Sequence, residues 1–416
     1  MEMNETPSAN RIHIAFFGRR NAGKSSLVNA VTGQNLALVS DIKGTTTDPV
    51  YKAMELLPLG PVVMIDTPGY DDEGTLGEMR VERAKRVLTK TDIAVLVLDG
   101  ELPSDAVFSS AEAELAGIFT SKNIPFIMVL NKCDSDNKKP FIQESVKMAE
   151  ESEILPVSAK TGFNINRLKE TIASFAQSDS KSNKKLIADL INPLDLIVLV
   201  IPIDKAAPKG RLILPQQQMI RDILEAGASA LTVRDSELAG MLKKLEKKPS
   251  LVITDSQVFA QVAVIIPPDI PLTSFSILFA RFKGFLETAV KGASALDNLK
   301  NGDKILICEG CTHHRQCGDI GTEKLPRMIK NHCGKIFSPM IPGEPEFCFC
   351  SGGDFPHDLK PYKLIIHCGG CMLNEREMGH RRSIAEEQNI PFTNYGITIA
   401  HIQGILDRSI EIFNLH

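Results

Sequence analysis

Eight residues near the N terminus have the types and spacing of a phosphate-binding loop. They are Gly18-Arg19-Arg20-Asn21-Ala22-Gly23-Lys24-Ser25, which match the pattern G-x-x-x-x-G-K-S. Glycines let backbone N–H groups close around phosphates, the amine of Lys24 reaches the β- and γ-phosphates, and the hydroxyl of Ser25 completes the Mg²⁺ shell. The predicted nucleotide contacts in this segment are Gly18, Asn21, Ala22, Gly23, Lys24, Ser25 and Ser26.

A second pattern, Asp66-Thr67-Pro68-Gly69, follows the apolar run Val62–Ile65, which has the composition of a buried strand. In a phosphate-transfer site the carboxylate of Asp66 lies beside the metal ion, usually through water. The backbone amide of Gly69 then lies near the γ-phosphate. Both residues are therefore predicted to take part in nucleotide binding and hydrolysis.

Two patterns further along the chain predict that the base is guanine. Asn131-Lys132-Cys133-Asp134 follows the apolar run Phe126–Leu130. The carboxylate of Asp134 can accept two hydrogen bonds from the guanine edge. Adenine cannot donate them, so ATP would leave the carboxylate unpaired at a cost on the order of several kcal/mol. Ser158-Ala159-Lys160 provides a backbone amide for the guanine carbonyl. We therefore expect GTP and GDP as ligands.

Together, Asn21, the run Gly44-Thr45-Thr46-Thr47-Asp48 and the Asp66–Gly69 pattern resemble the TrmE–Era class of bacterial GTPases. In that class the loop asparagine and the segment before the threonines bind K⁺, which neutralises developing phosphate charge. The resemblance implies that Asn21 is a K⁺ ligand and Thr46 a Mg²⁺ ligand. It also implies a catalytic set made of Lys24, Thr46, Asp66 and Gly69.

Tyr70 follows this pattern at the position where Ras-like enzymes have the glutamine that orients water. We therefore expect slow, K⁺-stimulated hydrolysis of GTP to GDP and phosphate. An acidic residue in segment 71–78 is an alternative water-positioning group, and the sequence does not select one.

Eight of the nine cysteines fall between residues 308 and 371, and four of them form two C-x-x-C pairs. The pairs are Cys308 with Cys311 and Cys368 with Cys371, and His313 and His367 add imidazoles beside them. Both a structural Cys₄ zinc site and an iron–sulfur cluster require thiolates at such spacing. Spacing alone leaves both alternatives open.

The order C-x-H, a long gap and H-C-x-x-C behind a TrmE–Era-like GTPase resembles the family of [FeFe]-hydrogenase maturation GTPases known as HydF. The segment Pro202–Leu212 also looks like the dimerisation domain of that family. The resemblance implies a homodimer and a [4Fe–4S] cluster held by Cys311, Cys368 and Cys371, with one iron open. It further implies a diiron precursor that is received from two radical-SAM maturases and passed to apo-hydrogenase.

Three residues near the cluster keep alternative roles. His313 or His367 is a possible iron ligand, a residue that orients the site from outside, or the partner in a core hydrogen bond. Cys308 is either a fourth thiolate or the last apolar residue of its strand. The sequence does not decide between these roles.

The elements that must position these residues follow an α/β pattern. Up to about residue 177, short apolar runs alternate with longer amphipathic stretches, which predicts a doubly wound, mostly parallel sheet. We expect a GTPase domain at 8–177, a polar linker at 178–185, and two smaller α/β domains, for dimerisation at 186–265 and for iron–sulfur binding at 266–416. Two strand candidates in the last domain, Lys304–Cys308 and Lys363–His367, lead directly into the cysteine pairs.

Composition limits the choice of partners. The formal net charge is −4, and 24% of residues are charged, which favours neither a nucleic acid nor an anionic membrane as partner. Residues Met1–Asn10 lack the basic and apolar regions of a signal peptide. The most apolar window, Leu186–Ile203, is interrupted by aspartates and prolines. We therefore expect a cytoplasmic protein.

The competing hypothesis is a GTPase of ribosome or tRNA biogenesis with a C-terminal zinc-binding module. Such a protein needs a basic face studded with aromatic residues. This chain has no tryptophan and four tyrosines. Zinc without iron or sulfide in the purified protein would favour the competing hypothesis.

Overall fold

The computed structural model describes most of the chain in two compact units, Met1–Ser182 and Asn183–His416. The described residues are 8–33, 48–57, 59–70, 83–134, 154–178, 184–203, 212–310, 319–336 and 344–414. Among these residues, no helix has both the length and the apolar character needed to cross a membrane.

The first unit contains a six-stranded sheet in the order β2-β3-β1-β4-β5-β6. Every neighbouring pair is parallel except β2 with β3. The strands are β1 (Ile12–Phe17), β2 (Val50–Leu56), β3 (Gly60–Asp66), β4 (Ile93–Asp99), β5 (Phe126–Asn131) and β6 (Ile154–Pro156). The helices include α1 (Lys24–Thr32), α2 (Ser104–Val107), α3 (Ser110–Ser121) and α4 (Ile165–Ser178).

Alternate side chains of this sheet fill two separate cores, as expected when both faces are covered by helices. Ile14 and Phe16 of β1 pack with residues of α1 and α4 on one face. Ala15 and Phe17 pack with residues of α3 on the other. The doubly wound, mostly parallel sheet predicted from the sequence is thus confirmed.

The second unit contains two four-stranded sheets in which every pair is parallel, in the orders β10-β9-β7-β8 and β12-β11-β13-β14. The strands are β7 (Leu196–Val200), β8 (Ser229–Val233), β9 (Leu251–Thr254), β10 (Leu272–Ser274), β11 (Lys304–Glu309), β12 (Glu346–Ser351), β13 (Leu364–His367) and β14 (Phe392–Asn394).

Helices cover both of these sheets. They are α5 (Leu214–Glu225), α6 (Leu238–Leu242), α7 (Phe259–Ile265), α8 (Phe275–Phe282), α9 (Leu286–Ala293), α10 (Leu325–Ile336), α11 (Glu375–Glu387), α12 (Tyr395–Ile402) and α13 (Leu406–Ile410). A five-residue π-helical turn, Ile320–Lys324, precedes α10, and a 3₁₀ segment, Ser294–Asn298, follows α9. The two further α/β folds expected from the sequence are present.

The two small sheets share one core. Val198 and Val252 of the first sheet and Leu306 and Ile365 of the second belong to the same apolar cluster. The outer face of each sheet has a separate cluster. The expected boundary between residues 265 and 266 precedes β10, which pairs with β9. The proline-rich segment after α7 therefore ends a helix and leads into the last strand of the same sheet.

A repeated strand-helix-helix segment joins these sheets. Residues 271–290 and 391–410 have the same succession of elements, β10-α8-α9 and β14-α12-α13. Helices α8 and α12 pack against each other. A Cβ atom at Gly396 would lie 2.4 Å from Cβ of Ser276, so the close approach of the two helices requires glycine there.

Candidate functional site

The phosphate-binding loop crosses the carboxyl edge of the first sheet between β1 and α1. Gly18, Asn21 and Gly23 all have positive φ angles, 142°, 63° and 87°. A Cβ atom at Gly18 would lie 2.3 Å from the carbonyl oxygen of Val97, and one at Gly23 would lie 2.3 Å from Nδ2 of Asn131. The tight turn therefore has room only for glycine at both positions.

Lys24 is buried at the start of α1 and holds its charge inside the loop. Its Nζ donates hydrogen bonds to the carbonyl oxygens of Gly18 at 2.9 Å and Arg19 at 2.7 Å. An ammonium group held in this way is placed where the phosphates of a bound nucleotide would lie. The role of Lys24 in binding the phosphates stays a prediction.

Ser25 and Asp66 form the polar pair expected beside a metal ion. The hydroxyl of Ser25 donates to Oδ2 of Asp66 at 2.6 Å. Burial raises the pKa of Asp66, although the hydrogen bond from Ser25 and the charge of Lys24 act in the opposite direction. Oδ1 of Asp66 is buried and has no hydrogen-bond partner among the described residues.

This pair fits Mg²⁺. A hard divalent cation takes oxygen ligands, and its charge would offset the burial of the Asp66 carboxylate and satisfy the unpaired Oδ1, directly or through water. Thr46, the other predicted Mg²⁺ ligand, lies outside the described residues.

Residues after β3 contact the phosphate-binding loop. The Thr67 hydroxyl donates to the carbonyl of Phe16 at 2.6 Å, and a Cβ atom at Gly69 would lie 2.9 Å from the backbone nitrogen of Arg20. The ring of Tyr70 is buried in the core, and its hydroxyl donates to Glu114 at 2.8 Å. Burial and the hydrogen bond to Glu114 both raise the pKa of Tyr70. Tyr70 is therefore a core residue in this arrangement and has no free polar group with which to orient water.

Asn131 connects the phosphate-binding loop to the predicted guanine pocket. Its Nδ2 donates to the carbonyl of Ala22 at 3.1 Å, and its Oδ1 accepts the amide of Ala159 at 3.1 Å. The hydroxyl of Ser158 donates to Asp134 at 2.6 Å. The structure therefore brings the two predicted patterns of the base site, 131–134 and 158–160, together.

Lys132 and Lys160 flank an open cavity of about 720 Å³. The Nζ of Lys132 donates to Asp99 at 2.7 Å and to Glu101 at 3.1 Å. Burial lowers the pKa of Lys132, but the two carboxylates outweigh this effect and leave it raised. The lining residues of the cavity include Gly23, Ser26, Asn131, Asp134, Ala159 and Lys160, all of which the sequence predicted.

One anchor of the loop was missed in the sequence. Arg19 occupies the first x of the motif G-x-x-x-x-G-K-S. Its Nε donates to the buried Glu112 of α3 at 2.5 Å. Glu112 also accepts the backbone amide of Ser109 at 2.9 Å and forms a capping box with it. The S-x-x-E signature of a helix start is visible in the sequence. The sequence does not show that the glutamate of this signature also accepts a hydrogen bond from Arg19.

The cysteine pairs lie at the carboxyl edge of the last sheet. Cys308 of β11 stands in register with Cys350 of β12 and His367 of β13. The Sγ of Cys368 accepts the amides of Gly310 at 3.1 Å and Gly370 at 3.4 Å. Amide hydrogen bonds of this kind stabilise a thiolate sulfur.

The residue that follows Gly310 in the chain is Cys311, so in the sequence two of the three predicted cluster ligands come shortly after the neighbouring strands β11 and β13. Cys311 and His313 themselves lie outside the described residues, as does Cys317. Cys371 follows Gly370, which has a φ angle of 64° and makes the turn between the last two cysteines. The donor set around these strand ends is rich in sulfur and fits an iron–sulfur cluster or zinc.

The thiol of Cys308 is fully buried and hydrogen-bonded to Cys350. Burial, and then the neighbouring Cys350, raise the pKa of Cys308 well above its usual value, whereas the hydrogen bond from Cys308 lowers the pKa of Cys350. A thiol that stays protonated and packs with Leu306 behaves as a core residue. This environment favours the packed alternative for Cys308.

His367 is fully buried, and both of its ring nitrogens have partners. Nδ1 lies 2.8 Å from the carbonyl oxygen of Cys368, and Nε2 accepts a hydrogen bond from Arg381 at 3.0 Å. Because an arginine nitrogen can only donate, Nδ1 carries the proton of a neutral ring. Burial, together with the charge of Arg381, lowers the pKa of His367 to about 3. The geometry favours a role in orienting the Cys368 turn.

Two buried cations near this turn were not predicted. Arg381 of α11 also donates to Glu377 at 2.9 Å and to the carbonyl of Gly352. Lys283, from the end of α8, donates to the carbonyl of Leu373 at 2.9 Å. Burial raises the pKa of the nearby Cys371, and the charge of Lys283 partly offsets this.

A strand–loop–helix with these phosphate and guanine patterns defines the first unit as a P-loop GTPase domain. A family model described as 50S ribosome-binding GTPase matches residues 13–132. Two models, described as the hydrogen maturase F dimerization domain and the hydrogen maturase F tetramerization domain, match residues 186–284 and 287–412, which together make up more than half of the chain. The chain belongs to the hydrogen maturase F family, HydF.

Curated relatives match the N-terminal part. GTPase Der from Wolinella succinogenes is 34% identical over 188 residues, 43% of this chain and 38% of that protein. The tRNA modification GTPase MnmE from Endomicrobium trichonymphae is 32% identical over 192 residues, 45% of this chain and 40% of that protein. The chain thus spans about two fifths of the length of these relatives. A solved structure, Era from Aquifex aeolicus bound to GDP and AlF₄⁻, has a TM-score of 0.35 at 25% identity, covering 56% of this chain and 68% of that one.

We predict that Arg381→Gln destabilises the second unit by about 3 kcal/mol or more, because breaking a buried polar network leaves partners unpaired. The partners left without a donor are His367, Glu377 and the Gly352 carbonyl. Urea unfolding of the full chain, followed by circular dichroism, measures the loss. The exposed Arg327 on α10 provides the control, since Arg327→Gln is expected to change stability by less than about 0.5 kcal/mol. Equal stability of the two variants would contradict the prediction.

Proposed function

We propose that this chain is a GTP-hydrolysing scaffold for [FeFe]-hydrogenase maturation that holds a [4Fe–4S] cluster, receives a diiron precursor and transfers it to apo-hydrogenase. The observation that carries the proposal is the sulfur-rich strand edge in a chain whose second unit matches two hydrogen maturase F domains. There the Sγ of Cys368 lies 3.1 Å from the amide nitrogen of Gly310, the residue next to Cys311. The parts are a GTPase domain, a dimerisation domain and an iron–sulfur domain, and the partners are a second copy of the chain, two radical-SAM maturases and the apo-hydrogenase.

In the proposed GTPase reaction each side chain has a defined task. Lys24 and the loop amides bind the β- and γ-phosphates, and Asp134 with the Ala159 amide selects guanine. Ser25, Asp66 and Thr46 hold Mg²⁺, which supplies positive charge to the phosphates when bound. The amide of Gly69 contacts the γ-phosphate. These roles draw support from the closeness of Ser25 to Asp66 and from the contacts of Asn131 with both loops.

In the proposed scaffold Cys311, Cys368 and Cys371 hold the cluster. The cluster supplies an iron with an exchangeable ligand to which the diiron cargo can attach. The residues of the chain determine how this edge is held: the Gly310 and Gly370 amides donate to Cys368, and His367 fixes the backbone of the same turn through the Cys368 carbonyl. Arg381 in turn holds the His367 ring in its neutral form.

The three-thiolate assignment predicts different outcomes for two cysteine variants. Cys311→Ala is expected to prevent cluster reconstitution and hydrogenase activation, because it removes a ligand. Cys308→Ala is expected to retain both, because that thiol already has a partner in the core. Iron and sulfide content after anaerobic reconstitution and activation of apo-hydrogenase provide the measurements. Loss of the cluster in both variants would instead indicate four thiolates, and stoichiometric zinc without iron or sulfide would overturn the scaffold proposal.

We propose that hydrolysis gates an interaction between proteins and does not drive the metal chemistry. Lys24→Ala removes the amine that binds the phosphates, so GTP hydrolysis is expected to fall below detection while the cluster content stays normal. Delivery of the diiron cargo to apo-hydrogenase is expected to fall as well. Lys85→Ala, at an exposed lysine outside the loop, is the control. If Lys24→Ala transfers its cargo as well as wild type, the gating proposal fails.

The same domain is proposed to hydrolyse GTP slowly and to be stimulated by K⁺, with Asn21 as a ligand of the ion. Because the Tyr70 ring packs in the core, its side chain does not stabilise the reacting phosphate. A K⁺ ion bound at the phosphate-binding loop would supply the positive charge instead. Asn21→Gly is the appropriate test variant, since glycine tolerates the φ angle of 63° without strain. Wild type is expected to hydrolyse GTP faster in KCl than in NaCl, and Asn21→Gly is expected to lose that difference while it retains GDP binding. Equal wild-type rates in the two salts would reject K⁺ stimulation.

A further inference from the structure

Three side chains from separate segments of the second unit converge at a place apart from the turn that holds Cys368 and Cys371. Asp297 lies in the 3₁₀ segment after α9, His332 on α10 and His401 on α12. Nε2 of His332 lies 2.9 Å from one carboxylate oxygen of Asp297, and Nε2 of His401 lies 2.9 Å from the other. The three donor atoms all fall within 4.8 Å of one another.

The apolar core fixes the position of each of these residues. Leu296 and Cys333, the chain neighbours of Asp297 and His332, are both buried in the cluster on the outer face of the last sheet. Ile402, the neighbour of His401, packs against the same cluster. The three donors therefore stand at the rim of one packed core, where their backbones are held in place.

The site is accessible but partly desolvated. The side chains of His332 and His401 are 17% and 21% exposed, and that of Asp297 is 48% exposed. An ion could reach the donors from solvent and keep water in its remaining coordination positions. This combination is typical of a site with an open coordination sphere.

The cluster lies away from the proposed iron–sulfur site. Helix α12 begins at the carboxyl end of β14, and His401 is six residues beyond its first residue, Tyr395. At 1.5 Å per residue this places His401 about 9 Å along the helix from the carboxyl edge of the sheet. The cysteine turns stand at that carboxyl edge, so the two donor sets are separate.

We infer that Asp297, His332 and His401 form a binding site for a divalent first-row transition metal ion such as Zn²⁺ or Fe²⁺. Two imidazoles and one carboxylate suit these ions, whereas Mg²⁺ and Ca²⁺ prefer oxygen alone and Cu(I) prefers sulfur. Two donors that are each about 2.1 Å from one ion are roughly 3.0 to 3.4 Å apart for coordination angles between 90° and tetrahedral. The two nitrogen–oxygen distances, 2.9 Å each, lie just below that range, so a small outward shift of the side chains admits an ion.

Metal binding would replace the two hydrogen bonds between Asp297 and the histidines with bonds from all three residues to the ion. The bound ion links the segment that leads into β11 to α10 and α12, three elements that share a core but are far apart in sequence. The histidines then act as neutral ligands through Nε2. In a trio held only by hydrogen bonds, each histidine would instead donate a proton from Nε2 to Asp297.

The test measures binding of Zn²⁺ and Co²⁺ to the untagged full chain after chelator treatment. Equilibrium dialysis with elemental analysis is expected to find one fewer tightly bound Zn²⁺ in the His332→Gln/His401→Gln double variant than in wild type. Because the cysteines also bind Zn²⁺, the comparison is repeated in a Cys368→Ser/Cys371→Ser background. There Co²⁺ is expected to give weak ligand-field absorption without thiolate charge-transfer bands. His357→Gln, at an exposed histidine of the same unit, is the matched control and is expected to bind as wild type.

A second variant distinguishes metal ligation from a hydrogen-bonded trio. Asp297→Asn keeps the shape of the side chain and one oxygen acceptor but loses the negative charge. Its thermal unfolding without metal is expected to change only slightly, because one of two partly exposed hydrogen bonds is lost. Its Zn²⁺ affinity is expected to fall by more than about 100-fold, since even mutation of a residue that only hydrogen-bonds a metal ligand lowers metal affinity about 10- to 100-fold. The rise in Tm that Zn²⁺ causes in the wild type should disappear. The inference is overturned if wild type, the double variant and Asp297→Asn bind the same number of Zn²⁺ ions with the same affinity.

Discussion

Parallel strand pairing is the constraint on which both units depend. In a parallel sheet all strand ends of one kind meet along one edge, so the loops that follow the strands are neighbours even when they are far apart in sequence. This brings Asn131 of β5 within 3.1 Å of the carbonyl of Ala22 in the loop after β1. It also brings the Cys368 sulfur, after β13, within 3.1 Å of the Gly310 amide, after β11.

Polar groups at these edges are buried, and each therefore requires a partner. Lys24 has carbonyl partners in the loop it serves, and Asp66 shares the hydroxyl of Ser25. At the cysteine edge the ring of His367 remains neutral because Arg381 donates to one nitrogen and the Cys368 carbonyl accepts from the other. Such networks are costly to break but specify one geometry, which is what a site that must hold several loops in register requires.

The sequence predicted these sites unevenly, for physical reasons. Patterns within one loop, such as Gly18–Ser25 and Asp66–Gly69, could be recognised because the strand before and the helix after them are local features. Arg381 and Lys283 could not, since a basic residue on a polar helix or at a helix end has the composition of a solvated surface until its distant partner is known. Asp297, His332 and His401 likewise form no spaced motif. The proline-rich segment before β10 was interpreted as a domain boundary because it interrupts the local pattern. In the structure the sheet continues past it, since β10 pairs with Val252–Thr254 of β9, and that pairing could not be read from the local sequence.

The shared core makes the two smaller folds mechanically dependent on each other. Valines of one sheet and Leu306 and Ile365 of the other fill the same cluster, so neither sheet has a complete apolar core alone. Lys283, at the end of the first repeated helix, donates to Leu373 in the turn that follows Cys371. Separating the sheets would expose the common core and leave a buried ammonium without that carbonyl, and both changes are unfavourable. The segment that matches the dimerization model and the one that matches the tetramerization model therefore share one apolar core within one compact unit.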